Sequence, residues 1–334
     1  MSTNVACKNV GRNEAVFASC VLLFMIAASA ITIVAPIALS VVIVFLFAGP
    51  HNYAEARYFV TRLPARMGRL KPFFLTSFAG VVSLSVTFPL LGRLPAWFGW
   101  NPVASLWLTG VWNTTFIAWC TILVLIRSRH APRRDWDSAL PIGLAITGVC
   151  WLAPVMLPFV LVYAHPLMGL WILDRELRKQ SLSLRRVFRL CMCLLPILVM
   201  LQWTLAGELN VEVFEVSGQL EDQILRHSFL PIFSVNSGPR LVAVHAFLEL
   251  LHYGVWLVAI PVVSGRVYSQ EFTLSPLMRT PMRTTIRWGL LASLFLVFLL
   301  WIFFLADYSA TRDIYFAVAT VHVLAEIPFL LRLL

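Results

Sequence analysis

The feature that most constrains the fold of this chain is a series of apolar runs that recurs along its whole length. Each run is about 17–25 residues long, the length that a helix needs to cross the hydrocarbon core of a bilayer. Of the 334 residues, 60% are hydrophobic and only 13% are charged. A soluble domain is more polar than this. The sequence therefore predicts an all-α fold, a polytopic integral membrane helical bundle of about ten transmembrane helices.

Proline sets two of the predicted helix boundaries. Pro36 divides the first apolar block, and the segment between Pro154 and Pro158 divides the third, because proline lacks the N–H that a helix interior requires. An eight-span alternative treats each of these tight pairs as one long kinked helix. The ten predicted spans are 15–33, 35–50, 72–92, 104–126, 138–156, 158–174, 187–205, 240–264, 288–306 and 312–331.

The charges of the loops favour ten spans and predict the orientation of the chain. Four loops are basic, whereas the connection 206–240 is rich in glutamate and aspartate. With ten spans every basic loop falls on one face and the acidic loop on the other, as the positive-inside rule requires. We therefore expect both termini to be cytoplasmic, one transmembrane domain over 1–334, and an extracytoplasmic acidic loop at 206–240. The pattern LEDQILRHSFL in this loop predicts a short amphipathic helix on the outer face.

The formal net charge of +10 comes mainly from these loops. We therefore expect anionic lipid, rather than nucleic acid, to be the partner of the basic residues. The segment ARYFVTRLPARMGRLKPFF predicts an interfacial cytoplasmic helix that binds such lipid. Arg57 in this segment lies near Glu55 and His51 in the sequence. Pairing with the carboxylate, binding an anionic group of a substrate and binding lipid all remain open for it.

Three predicted helices each carry a histidine and a glutamate on one face. Ionisable groups within a membrane are costly unless they are paired, and they point to function for that reason. Residues three, four or seven apart share a helix face. This spacing relates His51 to Glu55 if the helix continues past Pro50, His245 to Glu249 and His252, and His322 to Glu326.

These side chains together favour a metal site. Imidazole is the commonest metal ligand, and a carboxylate either binds a hard metal or orients the imidazole. Histidine with glutamate suits iron or zinc better than Cu(I), and we expect iron. The predicted ligands are His51, His252 and His322, with His165 or His245 as a fourth. Glu55, Glu249 and Glu326 are expected to orient the imidazoles, to add ligands or to move protons.

The segment AGPHNYAEARYF closes the second predicted helix with Gly-Pro-His, and Glu55 follows His51 by four residues. It resembles the Brp/Blh-type integral-membrane carotene dioxygenases, whose early helix ends in a Gly-x-Pro-His-Gly-x-x-Asp type pattern. Here Asn52 replaces the glycine after histidine, Glu55 replaces the aspartate, and the glycine-to-proline spacing is one residue shorter. The resemblance implies a non-haem iron, held by histidines of several helices, that cleaves a carotenoid with O₂. His51 is the residue that maps onto this motif.

Three functions remain open at this point. The first is an iron-dependent oxidoreductase that acts on a hydrophobic, lipid-like small molecule. The abundant aromatic residues suit such a substrate, but interfacial belts and helix packing explain them better. The second is a proton-coupled transporter that uses the same histidines and glutamates as a relay. The third is a non-catalytic membrane subunit whose polar residues bind a partner protein or a pigment. GxGxxG, Walker A, HExxH and GxSxG motifs are absent from the sequence, so the enzyme classes that these motifs mark are not indicated.

Overall fold

The described part of the chain is almost entirely helical. The computed structural model describes residues 2–62, 68–129, 136–209, 211, 213–228, 237–264 and 283–333, and within them there is no β-strand. A π-helical turn, Val255–Ala259, follows α11 directly, and helix then continues to residue 264. The helices are α1 (Ser2–Val34), α2 (Pro36–Arg62), α3 (Lys71–Thr87), α4 (Leu90–Phe98), α5 (Pro102–Arg129), α6 (Ala139–Leu152), α7 (Met156–Gln180), α8 (Leu182–Met192), α9 (Leu195–Leu205), α10 (Gly218–His227), α11 (Gly238–Gly254), α12 (Arg283–Ala306) and α13 (Tyr308–Leu333).

Nine helical segments in the described part of the chain are long and apolar enough to cross a membrane. One further apolar helix, α6, has 14 residues. Together they match the predicted spans one to one, which confirms an all-α, polytopic membrane bundle. The orientation of the termini, the outer position of 206–240 and the single domain over 1–334 stay predictions.

Proline explains where the spans are interrupted. The predicted breaks are present, since α1 ends at Val34 just before Pro36, and α6 and α7 are separated at residues 153–155. Two further interruptions correct the prediction of continuous helices over 72–92 and 187–205. The first lies at Pro89, between α3 and α4, and the second precedes Pro196 in the first turn of α9. Both follow from the missing proline N–H.

Pro50 does not end a helix, and α2 extends twelve residues beyond the predicted end at 50. A proline is tolerated inside a membrane helix where neighbouring groups satisfy the backbone that it disturbs. The imidazole Nδ1 of His51 donates to the carbonyl oxygen of Phe47, three residues before the proline, at 3.0 Å. The lipid-binding helix predicted from residue 56 therefore begins as the last turns of α2. Residues 63–67 of that segment lie outside the described residues.

The contacts divide the chain into two compact units. The first comprises Met1–Glu55, Tyr163–Leu274 and Ile286–Ser309. In it α11 packs against α1 and α9, and Gly254 leaves room for the ring of Phe24 on α1. The core of this unit consists of apolar side chains from these helices, namely Met25, Ala28, Leu198, Val244, Phe247, Leu248 and Leu251.

The second unit comprises Ala56–Val162, Ser275–Thr285 and Ala310–Leu334. Here α5 packs on α3 and α6. The indole N–H of Trp119 donates to the carbonyl oxygen of Thr76 at 2.9 Å, and Gly80 makes room for that ring. Aromatic packing dominates the core, which contains Phe73, Leu84, Trp112, Phe116, Ile117, Trp119, Leu123, Cys150 and Leu324.

The acidic connection contains the predicted short helix, α10, which is therefore confirmed as a helix. Its first turn is capped by the Ser217 hydroxyl, which accepts from the N–H of Leu220 at 3.4 Å. Nearer the start of the connection, the N–H of Val211 donates to the carbonyl oxygen of Val34 at 2.7 Å. This bond satisfies one of the carbonyls left open at the C-terminal end of α1.

Candidate metal centre

Three histidines from three helices meet in the first unit. His51 lies on α2, His165 on α7 and His252 on α11. The ring of His252 is the central one, with its centroid 4.5 Å from that of His165 and 5.5 Å from that of His51. The structure thus brings together three of the histidines that the sequence analysis predicted as ligands.

A backbone carbonyl fixes the protonation of His252. Its Nδ1 lies 3.3 Å from the carbonyl oxygen of Pro166 on α7. Since a carbonyl oxygen can only accept, Nδ1 carries the proton, and the lone pair of the neutral ring is on Nε2. The residue is 1% exposed, and its Nε2 has no hydrogen-bond partner among the described residues. A buried imidazole held in this way presents Nε2 as a ligand atom.

His51 is held in a similar way within its own helix. Its Nδ1 donates to the carbonyl oxygen of Phe47, one turn earlier on α2, at 3.0 Å. The ring of Tyr253 lies against it, with centroids 4.3 Å apart. Nε2 is therefore the nitrogen of His51 that can bind a metal as well.

Glu55 lies one turn after His51 because α2 continues through Pro50. It is 1% exposed, which is rare for a carboxylate unless it is paired or binds a metal. His51, Glu55 and His252 each offer a ligand atom, and these atoms lie within 4.8 Å of one another. His51 and Glu55 therefore share a helix face, as predicted for a helix that continues past Pro50.

His245 and Glu249 form a separate pair nearer the start of α11. The Nε2 of His245 lies 3.6 Å from a carboxylate oxygen of Glu249, and both residues are buried. The ring of Tyr163 lies 5.6 Å from that of His245. Among the described residues, neither His245 nor Glu249 belongs to a group of converging ligand atoms. The geometry therefore favours the centre around His252 over His245 as a ligand site.

The remaining predicted site residues are His322, Glu326 and Arg57. His322 and Glu326 belong to α13 in the second unit, where Glu326 is fully buried and His322 is half-buried. Their role in the site stays a prediction. Arg57 is half-buried on α2, two residues after Glu55, and its predicted contact with substrate or lipid also stays a prediction.

Several features of the site were missed by the sequence analysis. The carbonyl oxygens of Phe47 and Pro166 give no signal in a sequence, because any residue can supply one. The sequence gives a weak indication of Tyr253, since this residue follows the predicted ligand His252 directly. The π-helical turn that begins at Val255 follows within three residues of His252, and such turns often occur at functional sites.

The arrangement offers two imidazole nitrogens and one carboxylate to a single ion, with a third imidazole beside them. Such a donor set suits a transition metal. The resemblance to the Brp/Blh-type carotene dioxygenases rests on His51 and its neighbours and stays a prediction. The chain matches no protein-family model, no curated protein and no solved structure.

Proposed function

We propose that this protein is a membrane-embedded, metal-dependent oxidoreductase that acts on a hydrophobic, lipid-like molecule. The observation that carries the proposal is the convergence of ligand atoms from His51, Glu55 and His252 within 4.8 Å of one another. Ligand atoms that each lie about 2.1 Å from an ion at tetrahedral angles are about 3.4 Å apart. Each side chain therefore needs to move inward by about 1 Å for the three to bind an ion together.

The donor set supports iron over zinc or copper. Two histidines and one carboxylate are typical of non-haem Fe(II) oxygenases, whose metal keeps open positions. In such a site the iron supplies the activation of O₂ and leaves a position for the substrate. Structural zinc sites are instead closed by four ligands. His165, whose ring lies beside that of His252, is the candidate for a further position.

The protein's own residues orient the ligands and exclude water. Backbone carbonyls hold Nδ1 of both His51 and His252, so the two rings need little reorganisation when the ion binds. His51, Glu55 and His252 are each 1% exposed. A site this dry suits an apolar substrate that arrives from the bilayer rather than a solute from water.

Metal analysis of purified protein tests the proposal. Full-length protein in lipid nanodiscs is assayed for bound iron, zinc and copper, together with His51→Ala, Glu55→Ala and His252→Ala. His227→Ala, on α10 outside the candidate site, is the matched control. We expect the wild type and the control to hold iron near one ion per chain and each site variant to lose at least ten-fold in affinity. The proposal fails if no metal co-purifies and added Fe(II) does not bind, or if the site variants bind as well as the control.

A second candidate function, proton-coupled transport, is favoured by the buried pair His245 and Glu249. Glu249 is 8% exposed, and one of its carboxylate oxygens has no hydrogen-bond partner among the described residues. Buried carboxylates beside histidines are typical of proton relays in membrane transporters. Proton uptake by proteoliposomes under an imposed pH gradient tests this function. Transport requires that uptake exceed the leak of empty liposomes and that Glu249→Gln and Glu326→Gln abolish the excess.

A further inference from the structure

Gly169 lies where α7 faces the imidazole of His252. It follows Pro166, the acceptor of the His252 Nδ1–H, by three residues, nearly one helical turn. A Cβ atom on Gly169 would lie 2.9 Å from Nδ1 and 3.4 Å from Cε1 of His252. Cβ atoms in real structures essentially never lie within 3.0 Å of a heavy atom of another, non-adjacent residue. A side chain at position 169 must therefore displace the imidazole.

The imidazole has little room to retreat. The rings of His165 and His51 lie beside it, and the indole of Trp256 lies at a centroid distance of 6.2 Å. Trp256 is 1% exposed and would itself lie 3.5 Å from the added Cβ. A ring displaced by a methyl group at position 169 must therefore move away from the carbonyl of Pro166.

We propose that Gly169 is a positioning residue of the metal site. Because it has no side chain, the ring of His252 lies against α7 and donates Nδ1–H to Pro166, which leaves the Nε2 lone pair for the metal. This inference rests on the proposed function and adds to it the residue that orients the central ligand. Gly169 acts through His252 and does not itself touch the ion.

A purely structural role predicts a different result. Small residues in membrane helices often serve to bring two helices close together, as Gly254 does where it meets the ring of Phe24. A glycine needed for packing alone makes Gly169→Ala unstable without a specific effect on metal binding. A positioning glycine makes the same variant lose metal affinity and change the protonated nitrogen of His252.

Cobalt binding separates the two roles. Full-length wild type, Gly169→Ala and Gly289→Ala in nanodiscs are stripped with chelator and titrated with Co(II), and the d–d absorption bands are followed. Gly289 is the matched control, since it lies within α12 of the same unit and a Cβ there meets no atom within 4 Å. We expect Gly169→Ala to bind Co(II) about 10–100-fold more weakly than the control, with altered d–d bands.

The protonated nitrogen of His252 gives a second measurement, which needs no metal. Nitrogen-15 NMR of histidine-labelled, metal-free protein distinguishes the two neutral forms, and His252→Asn identifies the signal. We expect Nδ1–H in the wild type and a shift towards Nε2–H in Gly169→Ala. If Gly169→Ala does not fold, the wild-type spectrum decides, and an Nε2–H form of His252 overturns the inference.

The possible failures are distinguishable. If the wild type binds no Co(II) and no Fe(II), the proposed function fails and the role of Gly169 falls with it. If the wild type binds Co(II) and Gly169→Ala binds it equally well with unchanged bands, the role of Gly169 is overturned while the proposed function stands. A lower unfolding temperature of Gly169→Ala with unchanged affinity for Co(II) also overturns the positioning role and indicates that Gly169 serves helix packing.

Discussion

The ring of Tyr253 lies against the ring of His51, with centroids 4.3 Å apart and planes inclined by 36°. Tyr253 follows His252 directly in the sequence, so α11 supplies one candidate ligand and also supports another ligand, on α2. A movement of α11 relative to α2 therefore changes the position of both imidazoles at once. The two helices must keep their relative placement for His51 and His252 to bind the same ion.

The first prediction concerns this ring contact. Tyr253→Leu removes the aromatic face that lies against His51, whereas Tyr253→Phe retains it. Aromatic ring pairs contribute about 0.5–1.5 kcal/mol beyond the area that they bury, so we expect Tyr253→Leu to weaken Co(II) binding by about 2–10-fold relative to Tyr253→Phe. Isothermal titration of the two variants measures the difference, and equal affinities would show that the ring does not support His51.

The second prediction concerns Asp174 near the end of α7. Its carboxylate accepts from Arg185 and Arg189 on α8, at distances of 2.7–3.1 Å. The side chain of Arg185 is 20% exposed and that of Arg189 is 59% exposed. Because Arg185 is the less hydrated of the two, we expect Arg185→Gln to reduce the free energy of unfolding by about 1–3 kcal/mol and Arg189→Gln to reduce it by less.

Arg186 provides the matched control for this prediction. It lies on the same helix, between the two arginines that bind Asp174, and is exposed. Arg186→Gln removes the same charge without breaking the ion pairs of Asp174. Its unfolding midpoint should therefore lie at the same denaturant concentration as that of the wild type. The expected order of stability, measured by denaturation in detergent, is Arg186→Gln, then Arg189→Gln, then Arg185→Gln. Equal loss in all three would indicate a general effect of charge.

The third prediction concerns the contact of Gly80 with Trp119 in the second unit. A Cβ at Gly80 would overlap the indole of Trp119, whose N–H is bound to the carbonyl of Thr76. We expect Gly80→Ala to destabilise the protein by about 1–3 kcal/mol, as overpacked cores do. Gly148→Ala, where an added Cβ meets no atom within 4 Å, should be neutral or stabilising by up to about 1 kcal/mol, because alanine favours helix.

The fourth prediction concerns a polar contact that holds α9 to α1. The amide of Gln202 donates to the hydroxyl groups of Ser29 at 3.0 Å and of Thr32 at 2.8 Å. The Thr32 hydroxyl also donates to the carbonyl of Ala28 within its own helix, so it keeps a partner when the glutamine is removed. A double-mutant cycle of Gln202→Leu and Thr32→Val should give a coupling of about 0.6 kcal/mol, within the usual range for membrane helices. A coupling above about 2 kcal/mol would contradict this account.

The spans could be predicted because each depends on a local property of the sequence. An apolar run of sufficient length is enough to identify a membrane helix, and Pro36 is enough to separate α1 from α2. Pro50 shows where this reasoning fails. Whether a proline ends a membrane helix depends on whether neighbouring groups satisfy the backbone that it disturbs, and the local sequence does not specify those neighbours.

The candidate site was predictable in part for the same reason. Helical spacing identified His51 with Glu55, and burial in an apolar run identified His252. Spacing also grouped His245 with Glu249 and His252, whereas the structure pairs His245 with Glu249 and places His252 beside the histidines of other helices. Position along one helix cannot tell which neighbour each side chain meets, because the partner is set by the packing of the other helices.

The π-helical turn after His252 has a consequence for insertions and deletions in this helix. A π-turn accommodates one residue more than an α-helical turn of the same rise. Deleting one residue from Val255–Ala259 would turn this segment into regular α-helix and leave the residues after it on the faces that they occupy now, because the π-turn absorbs the extra residue. Deleting one residue from Gly238–Gly254 would instead rotate the residues on its two sides by about 100° relative to one another. The helix should therefore tolerate a change of length in the π-turn better than one in the segment that carries His252.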